Sequence, residues 1–132
     1  MSEESGVLGT LQQGHDVHLL VPARAEHLRA IRLVAADTAG RAGLDYEQTD
    51  DLRIAIDELC HCLMRVVEGP LSLTFAGANG VVTIEGSARL TAGSTSILGP
   101  LSLAILQSVT EFFEIIETPP DVEFMLIVKE QR

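Results

Sequence analysis

The stretch Asp45 to Val67, DYEQTDDLRIAIDELCHCLMRVV, constrains the fold more than any other part of the chain. At about 100° per residue, Leu52, Ile56, Leu59, Leu63, Val66 and Val67 fall within about 60° of one direction, which is the apolar stripe of an amphipathic helix. Such a helix is stable only when a second layer covers its stripe. Asp45 and Gln48 suit an N-cap and its capping-box partner, and Glu47, Asp50 and Asp51 place negative charge near the positive end of the helix dipole. The sequence predicts that this helix closes at Gly69-Pro70.

At the edge of the stripe stand Glu58 and Cys62, four residues and about 40° apart. Ala55 leads from them toward the core, and Asp51 and Arg65 lie further toward solvent. The plain expectation for Glu58 is a solvated edge charge paired with Arg65 or Arg53. The run Cys60-His61-Cys62 suggests a metal site, but residues two apart on a helix point about 200° apart and cannot converge on one ion. No metal site is therefore expected, with Cys60 in the core, Cys62 at the edge and His61 exposed. His15, His18 and His27 have no nearby serine, cysteine or carboxylate motif from which to build a catalytic triad.

On either side of the helix the pattern alternates between two periods. Asp16 to Val21 reads as a half-buried strand ended by Pro22. Ala23 to Ala42 reads as a helix with Leu28, Ile31, Ala35, Thr38 and Ala42 on one face, and Gly40 and Gly43 offer C-caps. Residues 71 to about 88 read as a β-hairpin turning at GANG, 77 to 80. A further helix from about Pro100 to Thr110 offers Leu101, Ala104, Ile105, Ser108 and Val109 as a face, and EFFEIIE and VEFMLIVK flank a TPPD turn. The expected fold is α+β, a two-layer sandwich with helices on one face of a largely antiparallel sheet, in the order β-α-α-β-β-α-β-β.

With 132 residues, the chain suits a flexible N-terminus over 1–13 and a single domain over 14–132. No apolar run approaches the roughly 18 residues of a membrane span. The acidic start MSEESG differs from a secretory leader, so a cytoplasmic location is expected. The net charge of -10, without any cluster of Lys and Arg, argues against direct nucleic-acid binding and for either a basic protein partner or simple solubility.

The wording DLRIAIDELCHCLMRV resembles the N-box helix of the GHKL (histidine-kinase-like) ATPase fold, in the variant carried by RsbW-like anti-sigma factors that are also serine kinases. Asp51, Leu52, Ala55, Asp57 and Glu58 fit that pattern, and VPARAEHLRAIRLVAADTAGRAGL resembles the family's opening strand and helix. The resemblance implies that Glu58 is the general base acting on a serine hydroxyl. It also implies an Asn ligand for Mg2+ where this chain has Cys62, a soft thiol in place of a hard oxygen donor. Two further nucleotide motifs are expected. The Asp-x-Gly-x-Gly element has only Glu85 and Gly86 as counterparts, and the phosphate-binding turn is reduced to Gly99-Pro100-Leu101, where Pro100 removes one N–H donor. The lid segment between Gly86 and Gly99 carries one basic residue, Arg89.

The resemblance thus implies ATP and Mg2+ as cofactors of a weakened site, with Glu58, Cys62, Glu85, Gly86, Gly99 and Leu101 as its candidate residues. As partners it implies a sigma factor, a STAS-domain antagonist and a second copy of the chain. Three readings follow: an anti-sigma factor that works by sequestration with weakened or lost kinase activity, an active serine kinase that phosphorylates the antagonist, or a non-catalytic sensor or adaptor.

Overall fold

The computed structural model describes residues 16–93 and 96–130. The expectation for 1–13, and His15 with it, lies outside the described residues. The elements are β1 (Val17–Pro22), a 3-10 turn (Ala25–His27), α1 (Leu28–Ala42), α2 (Tyr46–Met64), β2 (Val67–Ala78), β3 (Val81–Leu90), α3 (Pro100–Val109), β4 (Phe112–Thr118) and β5 (Asp121–Lys129). The strands form one antiparallel sheet in the order β1-β2-β3-β5-β4. The fold class is the expected α+β.

The core follows from two periodicities meeting. Alternate residues of the strands, among them Leu71, Leu73, Phe75, Val82, Ile84, Phe124, Leu126 and Val128, are buried against Ile31, Ala35, Leu52, Ile56, Leu59 and Leu63 from α1 and α2. Helix α1 packs on β2 and β3, α2 on α1, β2 and β5, and α3 on α2 and β4. All three helices thus lie on one side of the sheet.

The start of α2 is as read. The Asp45 side chain accepts from the Gln48 N–H at 2.9 Å, and Gln48 Oε1 accepts from the Asp45 N–H at 3.1 Å, so the capping box is complete. Its end differs. The helix stops at Met64, Val66 lies beyond it, and Val67 opens β2 opposite Leu90. Val67 joins the sheet, where branched side chains pack well, and Val66 lies in the turn before it. Gly69-Pro70 is consequently inside β2, at an irregularity between Glu68 and Ser72, where a residue without an N–H is tolerated.

Two other elements are shifted. The first helix begins at Leu28 after a 3-10 turn, and Gly43, at φ 87°, closes it with its N–H on the Ala39 carbonyl. The hairpin is longer than read, with Asn79 and Gly80 both at positive φ in a two-residue turn. On α3 the buried residue is Leu106, while Leu101, Ala104 and Ser108 are exposed. The short helix meets α2 and β4 along one line, so a narrow stripe suffices.

Candidate functional site

Helix α2 fixes the orientation of Glu58 and Cys62, one turn apart. Cys62 is fully buried and not at an edge, because α3 lies across this part of α2. The thiol of Cys60 is also buried, and burial pushes its pKa up to about 12. His61 is exposed.

From the first turn of α3, Ser102 reaches back to both residues. Its Oγ donates to Glu58 Oε2 at 2.6 Å, and Cys62 Sγ donates to Ser102 Oγ at 3.4 Å. A hydroxyl on a carboxylate at that distance is a charge-assisted hydrogen bond, among the stronger neutral-to-charged contacts. Of the two arginines expected beside Glu58, Arg53 is taken elsewhere. Arg53 pairs with Asp50 at 2.7 Å and approaches Asp57 at 3.7 Å, and Arg32 of α1 pairs with Asp57 at 2.7 Å, tying the two helices together.

The candidate residues separate into two groups. Glu58, Cys62 and the α3 start come together, with Gly99 as the N-cap of α3 and Leu101 in the same turn pointing to solvent. Glu85 and Gly86 lie apart from them in the middle of β3. Glu85 is exposed on the sheet face away from the helices, between Thr74 of β2 and Met125 of β5. Gly86 serves packing: a Cβ there would stand 2.4 Å from the Phe124 ring and 3.0 Å from Leu73. The backbone at Gly86 is approached by a core phenylalanine, which leaves no room for a ligand on that side.

These residues fit a Mg2+-bound nucleotide poorly. Glu58 is committed to Ser102, Cys62 offers sulfur, and Pro100 takes the N1 position of the helix whose N–H groups would hold phosphate. Among the described residues, no group of three His, Cys, Asp or Glu side chains is placed to hold a metal ion. Ser102 was not singled out by the sequence. The only signal was a serine in the first turn of a helix, and nothing local links it to a carboxylate 44 residues away.

No family model matches the chain. Serine-protein kinase RsbW of Bacillus cereus (strain AH187) is 36% identical over 50 residues, covering 38% of this chain and 31% of that protein. The same protein of Bacillus thuringiensis (strain Al Hakam) gives the same figures. Among solved structures, that of the RsbU and RsbW domains of Rv1364c from Mycobacterium tuberculosis matches 89% of this chain with a TM-score of 0.64. The chain is RsbW-like. The identity to that structure is 17% and the match covers 33% of it, so this second likeness speaks for the fold. The RsbW-like chain spans about a third of the length of the curated relatives it matches. Within the RsbW-like fold, Ser102, Glu58 and Cys62 form a closed contact between the second and third helices.

Proposed function

We propose that this RsbW-like chain regulates transcription by binding: it holds a sigma factor inactive and yields it to a STAS-domain antagonist, with kinase activity weakened or lost. The observation that carries this reading is the 2.6 Å contact between Ser102 and Glu58, which occupies the carboxylate that would otherwise accept a substrate proton. Exposed apolar side chains on all three helices, Leu33, Tyr46 and Leu101, support a partner-binding helical layer. The net charge of -10 favours a basic partner. A homodimer and a cytoplasmic location belong to the same reading, the first checked by sedimentation and the second by fractionation.

The test pairs two measurements on the purified chain. Co-purification with the host's sigma factors is expected to return one of them, and titration with ATP and Mg2+ is expected to give no heat up to millimolar nucleotide. Failure to hold any host sigma factor removes the reading. Micromolar ATP binding, about -8 kcal/mol, removes its loss-of-kinase part.

One feature favours a second reading, an active serine kinase. A serine hydroxyl donating to Glu58 at 2.6 Å has the geometry that a phospho-acceptor needs with its general base. An incoming antagonist serine would then displace Ser102. Phosphate transfer to a STAS protein that rises in Cys62→Asn and vanishes in Glu58→Gln would establish it.

A further inference from the structure

The sheet has a second face that no helix covers among the described residues. The pairing registers lay its side chains out in rows across all five strands. One row runs Leu20, Ser72, Ser87, Glu123, Ile116, and the next runs His18, Thr74, Glu85, Met125, Glu114. A third adds Ile127 and Phe112. Leu20, Ile116 and Phe112 are 68%, 48% and 43% exposed. Sheets with a solvated side ordinarily place polar residues there.

Charge on this face is one-signed at its centre. Glu85 and Glu114 flank Met125 in one row, and Glu123 lies one row over on the same strand as Met125. These four residues, with Thr74, Ser87 and Ile116, line a shallow cleft of about 360 Å3 that has no Lys or Arg in its wall. Arg89, towards one end of β3, is drawn aside to Glu68 at 3.5 Å. Neighbouring like charges on a sheet are destabilising, so an internal role in holding the fold does not account for the three glutamates.

We propose that this open face is a docking surface for a cationic amphipathic helix of a protein partner. Charge complementarity selects the occupant: Lys or Arg near the middle of such a helix would meet Glu85, Glu114 and Glu123, and apolar residues toward its ends would meet Leu20 on β1 and Ile116 on β4. Four strand spacings separate those two residues, about 19 Å, which a helix of about 13 residues spans. A second copy of this chain is a poor occupant, since it would bring three more carboxylates into a desolvated interface. Among the described residues, no group of three His, Cys, Asp or Glu side chains is placed to hold a metal ion on this face. The proposal goes beyond the regulatory reading and needs neither Glu58 nor a nucleotide.

The experiment uses the full chain and two synthetic 14-residue amphipathic helices, one with leucines and lysines and one with glutamates in place of the lysines. Amide chemical shifts and calorimetry are expected to show saturable binding of the cationic peptide only, with shifts confined to the outward residues of β1 to β5. The triple variant Glu85→Gln, Glu114→Gln, Glu123→Gln should weaken binding tenfold or more. A control triple variant on the helical side, Glu26→Gln, Asp37→Asn, Glu47→Gln, changes the net charge equally and should alter binding less than twofold. Shifts on the helical side, equal losses in the two triple variants, or no binding of the cationic peptide would each overturn the proposal. So would a dimer in sedimentation that Ile116→Lys splits, because the face would then belong to a second copy.

Discussion

Ser102 Oγ lies 2.6 Å from Glu58 Oε2 and joins the first turn of α3 to the edge of α2. The contact does two things at once. It helps dock a short helix whose only fully buried side chain is Leu106, and it holds the carboxylate away from any incoming hydroxyl. A part-buried acceptor with an internal donor is stabilised relative to one left to find water.

Ser102→Ala should therefore lower stability by about 1–2 kcal/mol, between the range for ordinary hydrogen bonds and that for bonds to charged groups, since the pair is part-buried. Urea denaturation measures it. Ser102→Thr, which retains the hydroxyl, should recover part of the loss. If the chain has any phosphate-transfer activity, Ser102→Ala should raise it, because Glu58 is released; an activity that falls instead would give Ser102 a positive role.

The sequence made the α2 helix legible because its determinants are local: a capping box within four residues and a stripe at a period of 3.6. The strands were legible from alternation, and TPPD and GANG marked both hairpins. What it concealed were tertiary choices. Val67 continues the helical stripe on paper and Gly69-Pro70 reads as its stop, but Val67 and Pro70 both enter the sheet, with Leu90 and Pro22 opposite them. Cys62 reads as an edge residue on a lone helix and is buried by α3. Glu85 and Gly86 read as a nucleotide motif by wording, whereas the pleat turns one to solvent and the Phe124 ring fills the space beside the other. Two members of the candidate site, Glu58 and Cys62, were visible; its third, Ser102, depends on a contact that spans 44 residues.

Gly86→Ala should be strongly destabilising for a conservative change. The added methyl would meet the Phe124 ring at 2.4 Å with Leu73 behind it, and overpacking of this kind costs about 1–3 kcal/mol. Combining it with Phe124→Leu, which removes the ring, should recover stability relative to the sum of the two single changes. Thermal denaturation of the four proteins closes the cycle. Strict additivity would mean that the ring is not what excludes a side chain at position 86.

Asp51 has its carboxyl pKa raised, first by burial and then by the negative charges of Glu47, Asp50 and Asp45. The sign follows directly. A carboxyl whose pKa is raised in the folded state carries no penalty in acid, where both states hold the proton; the penalty grows as pH rises from the unfolded pKa to the folded one and is complete above it. Asp51→Asn should thus raise the melting temperature at pH 7 and leave it unchanged below about pH 3, where the unfolded carboxyl is protonated too. A gain that persists unchanged in acid would assign the effect to packing.

Cys60 gives the opposite end of the pH range. Burial raises its thiol from 9.0 to about 12. Below pH 9 the folded and unfolded chains both keep the proton. Between 9 and 12 the unfolded chain releases it while the folded chain retains it, so stability falls as pH rises, by up to about 1.4 kcal/mol per pH unit. Cys60→Ala costs some packing at neutral pH, but it should flatten this alkaline slope relative to the parent chain. Urea midpoints at pH 8, 9, 10 and 11 for the two proteins measure the difference. Parallel curves would mean that the Cys60 thiol ionises as readily in the folded chain as in the unfolded one, and that the α2 core admits water at that position.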